Sequence, residues 1–181
     1  MTATNPFFDI SLLPYQAPHF DEINDSHYRP AFDEALRQKR ADVDAIVSQT
    51  AAPDFTNTVL ALEKSGAMLS RVSSVFFAMT SANTNTYLQE LEEEFSTELA
   101  ALANDIWLND TLFARVESVW QDRAALDAES RRLVEETYQH FILAGARLND
   151  AGKTELKALN TESALLTSQF NQRLLAADKT G

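Results

Sequence analysis

All five prolines of this 181-residue chain (Pro6, Pro14, Pro18, Pro30 and Pro53) lie at or before position 53, and none follows. Glycine is nearly as scarce, present only at Gly66, Gly145, Gly152 and Gly181. These two residue types end helices and build tight strand connections, so a long run almost free of both cannot be cut into many short strands. Strand-rich sandwiches and barrels are thereby disfavoured, and the fold class read from the sequence is all-α. The 45% hydrophobic content is enough for a real core and too high for a disordered chain.

Apolar spacing fills in the architecture: an antiparallel assembly of about six helices preceded by an extended arm rich in proline and aromatics. The arm occupies residues 1–25. There Pro6, Pro14 and Pro18 hold the backbone extended, and Phe7, Phe8, Ile10, Leu12, Leu13, Tyr15 and Phe20 are expected to pack across the helices. Residues 26–181 form the helical region, read as one structural unit. A first helix follows His27, with Tyr28, Phe32, Leu36, Val43 and Ile46 on one stripe. A second runs from about residue 56 to 81. A third opens on a Thr86/Gln89 capping box and carries Leu88, Leu91, Phe95, Leu99, Leu102 and Ile106. Asn109 or Asp110 caps the fourth, and Asp127 caps the fifth, which ends near Gly145. Asn149 or Asp150 starts the sixth, whose inward stripe is read as Leu156, Leu159, Leu166, Phe170 and Leu174.

Twenty-seven acidic residues against 15 Lys and Arg give a formal charge of −12. Such a surface repels phosphate backbones and anionic bilayers, so neither nucleic acid nor membrane is expected as a partner. The acid is concentrated early, and from Leu148 onward four acids balance four bases. The longest apolar runs, such as 75–79, are far too short to span a bilayer. The first thirty residues show no secretory pattern, and cysteine is absent, so a cytoplasmic setting is expected.

The inventory of reactive side chains is thin. His19, His27 and His140 have no partner histidine at helical metal-binding spacing, and Glu136 stands four residues before His140 without a second His. Glu90, Glu94 and Glu98 share one helical line beside Glu92 and Glu93, but a di-metal bundle would need Glu-x-x-His pairs as well. A solvated acidic face is the simpler account. Gly66, Gly145 and Gly152 cannot form a phosphate loop, and Trp120 and Tyr138 fit core spacing. No catalytic, cofactor-binding or metal-ligating residue is therefore assigned, and no cofactor is expected on this chain. A stand-alone helical protein-binding module remains an alternative.

Several segments carry a resemblance. "LPYQAPHFDEI" (Leu13 to Ile23), "HYRPAFDEAL" (His27 to Leu36), "FTNTVLALEKSG" (Phe55 to Gly66), "RLVEETYQHFILAGARL" (Arg132 to Leu148) and "LNTESALLTSQFNQRLLAA" (Leu159 to Ala177) occur in this order. Together they resemble the opening of the thimet oligopeptidase and neurolysin family of zinc metallopeptidases over nearly the whole chain. The resemblance implies a longer, almost wholly helical parent with two halves flanking a channel. Its zinc would be held by a His-Glu-x-x-His and a distal glutamate that this chain lacks, so none of the family's catalytic residues can be carried over. The segment would form part of a channel wall, with the remainder of its own polypeptide as partner and oligopeptides as the parent's substrates. "SSVFFAMTSANTN" (Ser73 to Asn85) and "ANDIWLNDTLFARV" (Ala103 to Val116) point within the family to release of C-terminal dipeptides, internal cleavage being the alternative.

Overall fold

In the computed structural model, which describes residues 5–178, the order of elements is helical throughout. Helices α1 (Tyr28–Val47), α2 (Ala61–Lys64), α3 (Ala67–Ala82), α4 (Thr86–Trp107), α5 (Asp110–Gln121), α6 (Ala128–Leu143) and α7 (Asp150–Asp178) follow one another, with no strand among the described residues. Ahead of α1 the chain turns repeatedly, with single 3₁₀ turns at Pro14–Gln16 and Asp25–His27.

Local chemistry explains the boundaries. Asn109 caps α5 by accepting the N–H of Leu112 at 2.9 Å, and Asp127 caps α6 by accepting from Glu129 and Ser130. Asn149 accepts from Gly152 at the start of α7. α6 stops where Gly145 takes φ 94°, with Ala146 N–H on the Phe141 carbonyl and Gly145 N–H on that of Ile142, a Schellman closure. The cap of α4 is Asn85, whose side chain takes the Leu88 N–H at 3.0 Å, and not Thr86. Asn is the stronger cap and stands one residue earlier.

The long second helix read from the sequence is divided. A π-helical turn at Phe55–Leu60, opened by a reciprocal Asp54/Asn57 capping box, leads into α2. Ser65 then leaves the helix at ψ 144° and Gly66 takes φ 74° before α3 begins. An L side chain rarely adopts that φ, and a Cβ at Gly66 would lie 2.6 Å from the Lys39 side chain.

The chain divides into two compact units. The first takes in Met1–Lys39, Gly66–Thr97 and Leu165–Gly181. Its core is aromatic: Phe32 and Phe95 stack at 3.7 Å between centroids, and Phe76 meets Tyr28 and Phe95 edge-on. Phe7 joins against Tyr28, and this end of the chain is tied down by Asn5 donating to the His27 carbonyl and Arg71 donating to that of Phe7. Phe8, Ile10, Leu12, Leu13, Tyr15 and Phe20 stay exposed, so among the described residues of the arm only Asn5 and Phe7 are buried.

The second unit takes in Arg40–Ser65 and Glu98–Ala164. Val59, Val119 and Val134 form a buried cluster flanked by Phe55, Trp120, Leu126 and Leu133. Phe113, Tyr138, Phe141 and Trp107 continue the core as a run of ring contacts.

The stripe of α7 departs from expectation. Leu159, Leu166, Phe170 and Leu174 face outward, while Lys153, Ser168 and the partly buried Leu156 and Leu165 face inward. Polar contacts hold the helix down: Lys153 on Asp110, Asn160 on Asn104 at 2.7 Å, and Gln172 on the Gln89 carbonyl at 2.9 Å.

Candidate functional site

The three histidines stand apart from one another in role. His27 completes a capping box with Asn24, its Nδ1 accepting the Asn24 N–H at 3.3 Å. His140, on α6, lies against the Trp107 ring with centroids 4.0 Å apart. The His19 carbonyl receives the N–H groups of Glu22 and Ile23 in a turn. Glu136 pairs with Arg132 at 2.7 Å, one helical turn back. Among the described residues no three His, Cys, Asp or Glu side chains converge as metal ligands.

The acidic line on α4 is likewise spread over different surroundings. Glu94 reaches Arg29 at 3.2 Å while staying exposed, and Glu90 is exposed. Glu92 is partly buried; removal from water raises its pKa, opposed by a hydrogen bond from Gln172. It borders a cleft of about 200 Å³ in the first unit with Thr80, Gln89, Asn171, Leu174 and Leu175. No imidazole or second base stands among the lining residues.

The second unit contains a cation–aromatic column that the sequence presented only as core spacing. Trp120 and Tyr138 stack at 4.4 Å, and the Arg123 guanidinium lies 4.0 Å above the Trp120 ring. Arg147 donates to the Tyr138 hydroxyl at 2.6 Å and to Glu117 at 3.0 Å. Hydrogen bonding to Glu117 raises the pKa of Arg147. The hydroxyl in turn donates to Glu117 at 3.4 Å, so it is engaged both as acceptor and as donor.

Arg115 is buried, donating to the carbonyls of Gln49 and Ala51 and to the Asn57 side chain. It pins the loop before the π-helical turn. Its position three residues after Leu112 and four before Val119 placed it on the apolar face, which is the one signal in the sequence that marks it. A cleft of about 560 Å³ in the same unit mixes Arg40 and Lys157 with Asp44, Asp105 and Asp110. Cations and carboxylates alternate there, and Lys157 lies 3.8 Å from Asp105. None of these arrangements sets a nucleophile beside a base.

No family model matches the chain. It is 66% identical, over 99% of its length, to dipeptidyl carboxypeptidase of Salmonella typhimurium, and 63% identical over 100% to that of Escherichia coli. Oligopeptidase A of Escherichia coli is similar at 23% identity over 96% of the chain. In each case the match spans about a quarter of the relative's own length. Similarity at this level is sustained from one end of the chain to the other, and it reaches about a quarter of the length of those dipeptidyl carboxypeptidases.

Proposed function

We propose that the chain is the N-terminal helical segment of a cytoplasmic, zinc-dependent peptidase that releases C-terminal dipeptides from oligopeptides. Residues 1–25 serve as its arm and 26–181 as a wall of the peptide channel, and the segment alone is non-catalytic. The observation that carries this reading is identity of 63–66% to dipeptidyl carboxypeptidases across the whole chain. Identity to oligopeptidase A is only 23%, which favours dipeptide release over internal cleavage. The histidines and carboxylates of this chain do not fit a zinc site, since no three converge among the described residues. On this reading the metal ligands lie in the rest of the polypeptide.

The experiment compares the protein encoded by the full gene with residues 1–181. The longer polypeptide should split a dipeptide from a blocked tripeptide and lose that activity to a chelator. The 181-residue chain should show none. Hydrolysis by the rigorously purified short chain, or internal cleavage alone by the long one, would overturn the proposal.

A further inference from the structure

We infer that the outward face of α7 within the first unit, carrying Leu166, Phe170 and Leu174, is a docking face for another part of the same, longer polypeptide. The inference rests on the proposed reading of the chain as one segment of a peptidase. The three side chains stand at i, i+4 and i+8, so they form one row along the helix. They are 56%, 64% and 57% exposed. Scattered apolar exposure is ordinary, but a row of this kind marks a surface that another partner covers.

The opposite side of the same helix sharpens the point. Ser168 is buried there and Gln172 donates to the Gln89 carbonyl, with Leu165 and Leu175 only partly buried. The helix therefore turns Ser168 and Gln172 toward its own unit and Leu166 and Phe170 away from it, while Leu174 continues the row at the rim of the cleft beside Glu92.

The occupant follows from length and charge. The relatives match this chain along its whole length, yet about three quarters of their own length lies beyond the match. That remainder is the largest body of protein available to cover the row. Residues 148–181 carry four acids and four bases in a chain of net charge −12, so this stretch brings no net charge of its own to a contact.

The chain has no cysteine, so Phe170→Cys introduces a single thiol whose maleimide labelling reports exposure. In the 181-residue chain labelling should be fast and independent of protein concentration. In the full-length polypeptide, followed peptide by peptide by mass spectrometry, it should be slower by about tenfold or more, because reaction must await local opening. Equal rates in the two proteins would overturn the inference. So would slowing with concentration in the short chain, which would assign the face to a second copy. Leu166→Cys provides the same readout should Phe170→Cys fail to fold. A full-length variant that is active yet labels rapidly sinks the docking face alone; a protected thiol in a polypeptide without peptidase activity sinks the functional reading alone.

Discussion

Glu34 and Glu92 show how one residue type acquires opposite electrostatics from its neighbours. Hydrogen bonds from Arg37 and Gln38 lower the Glu34 pKa to about 2, whereas burial raises that of Glu92. An unfolded glutamate titrates near about 4.3. Glu34 therefore contributes stability above that value, and the contribution is lost as pH falls toward its folded pKa. Glu92 has the opposite sign: its contribution is present below the unfolded pKa and is lost as pH rises through the folded one. Glu92→Gln should accordingly raise the melting temperature at pH 7, with the gain vanishing near pH 4, by scanning calorimetry across that range. In the aromatic core, Phe32 is fully buried and stacked on Phe95. Phe32→Ala should cost about 3–5 kcal/mol in urea unfolding, from lost transfer energy and the cavity left behind.

At the scale of elements, caps and breaks decide where helices start and stop. Removing the Asn109 side chain by Asn109→Ala leaves the Leu112 N–H without its acceptor. This should cost about 1 kcal/mol by chemical denaturation. Asp127 has its pKa lowered by hydrogen bonds from Ser130 and Glu129, so the α6 cap should weaken as pH falls below the ordinary carboxylate range. Gly66 separates α2 from α3 at φ 74°, and Gly66→Ala should destabilise by about 1 kcal/mol, the cost of an L residue in left-handed backbone. The added methyl would also meet the Lys39 side chain, which must shift as well, so the loss is at least that of the backbone strain. A stabilising Gly66→Ala in a urea titration would show that the helix can run through this point.

For the whole molecule, several of the polar side chains among the described residues are committed to structure. Arg115 holds a loop, Arg147 bridges Glu117 and Tyr138, and His140 stacks on Trp107. A metal that binds the native state raises its melting temperature with concentration. Adding zinc to the 181-residue chain should leave the melting temperature unchanged, as measured by thermal scans over a zinc titration. A rise that grows with zinc would reveal a ligand set that these contacts do not provide.

The helical class, the positions of α1 and α4 to α6, and the Asp127 cap were legible in the residues, while Asn109 and Asn149 were each one of two adjacent candidates. Each depends on local spacing or on a side chain reaching its own backbone within a few positions. The resemblance to peptidases was legible in the same way, through segments that keep their order along the chain. Which face of α7 is covered was not, nor were the burial of Arg115 and the exposure of Leu12, Tyr15 and Phe20. Periodicity identifies an apolar row without saying what lies opposite it, and that depends on side chains distant in sequence. Only the tertiary fold placed Ser168 inward and Phe170 outward on one helix.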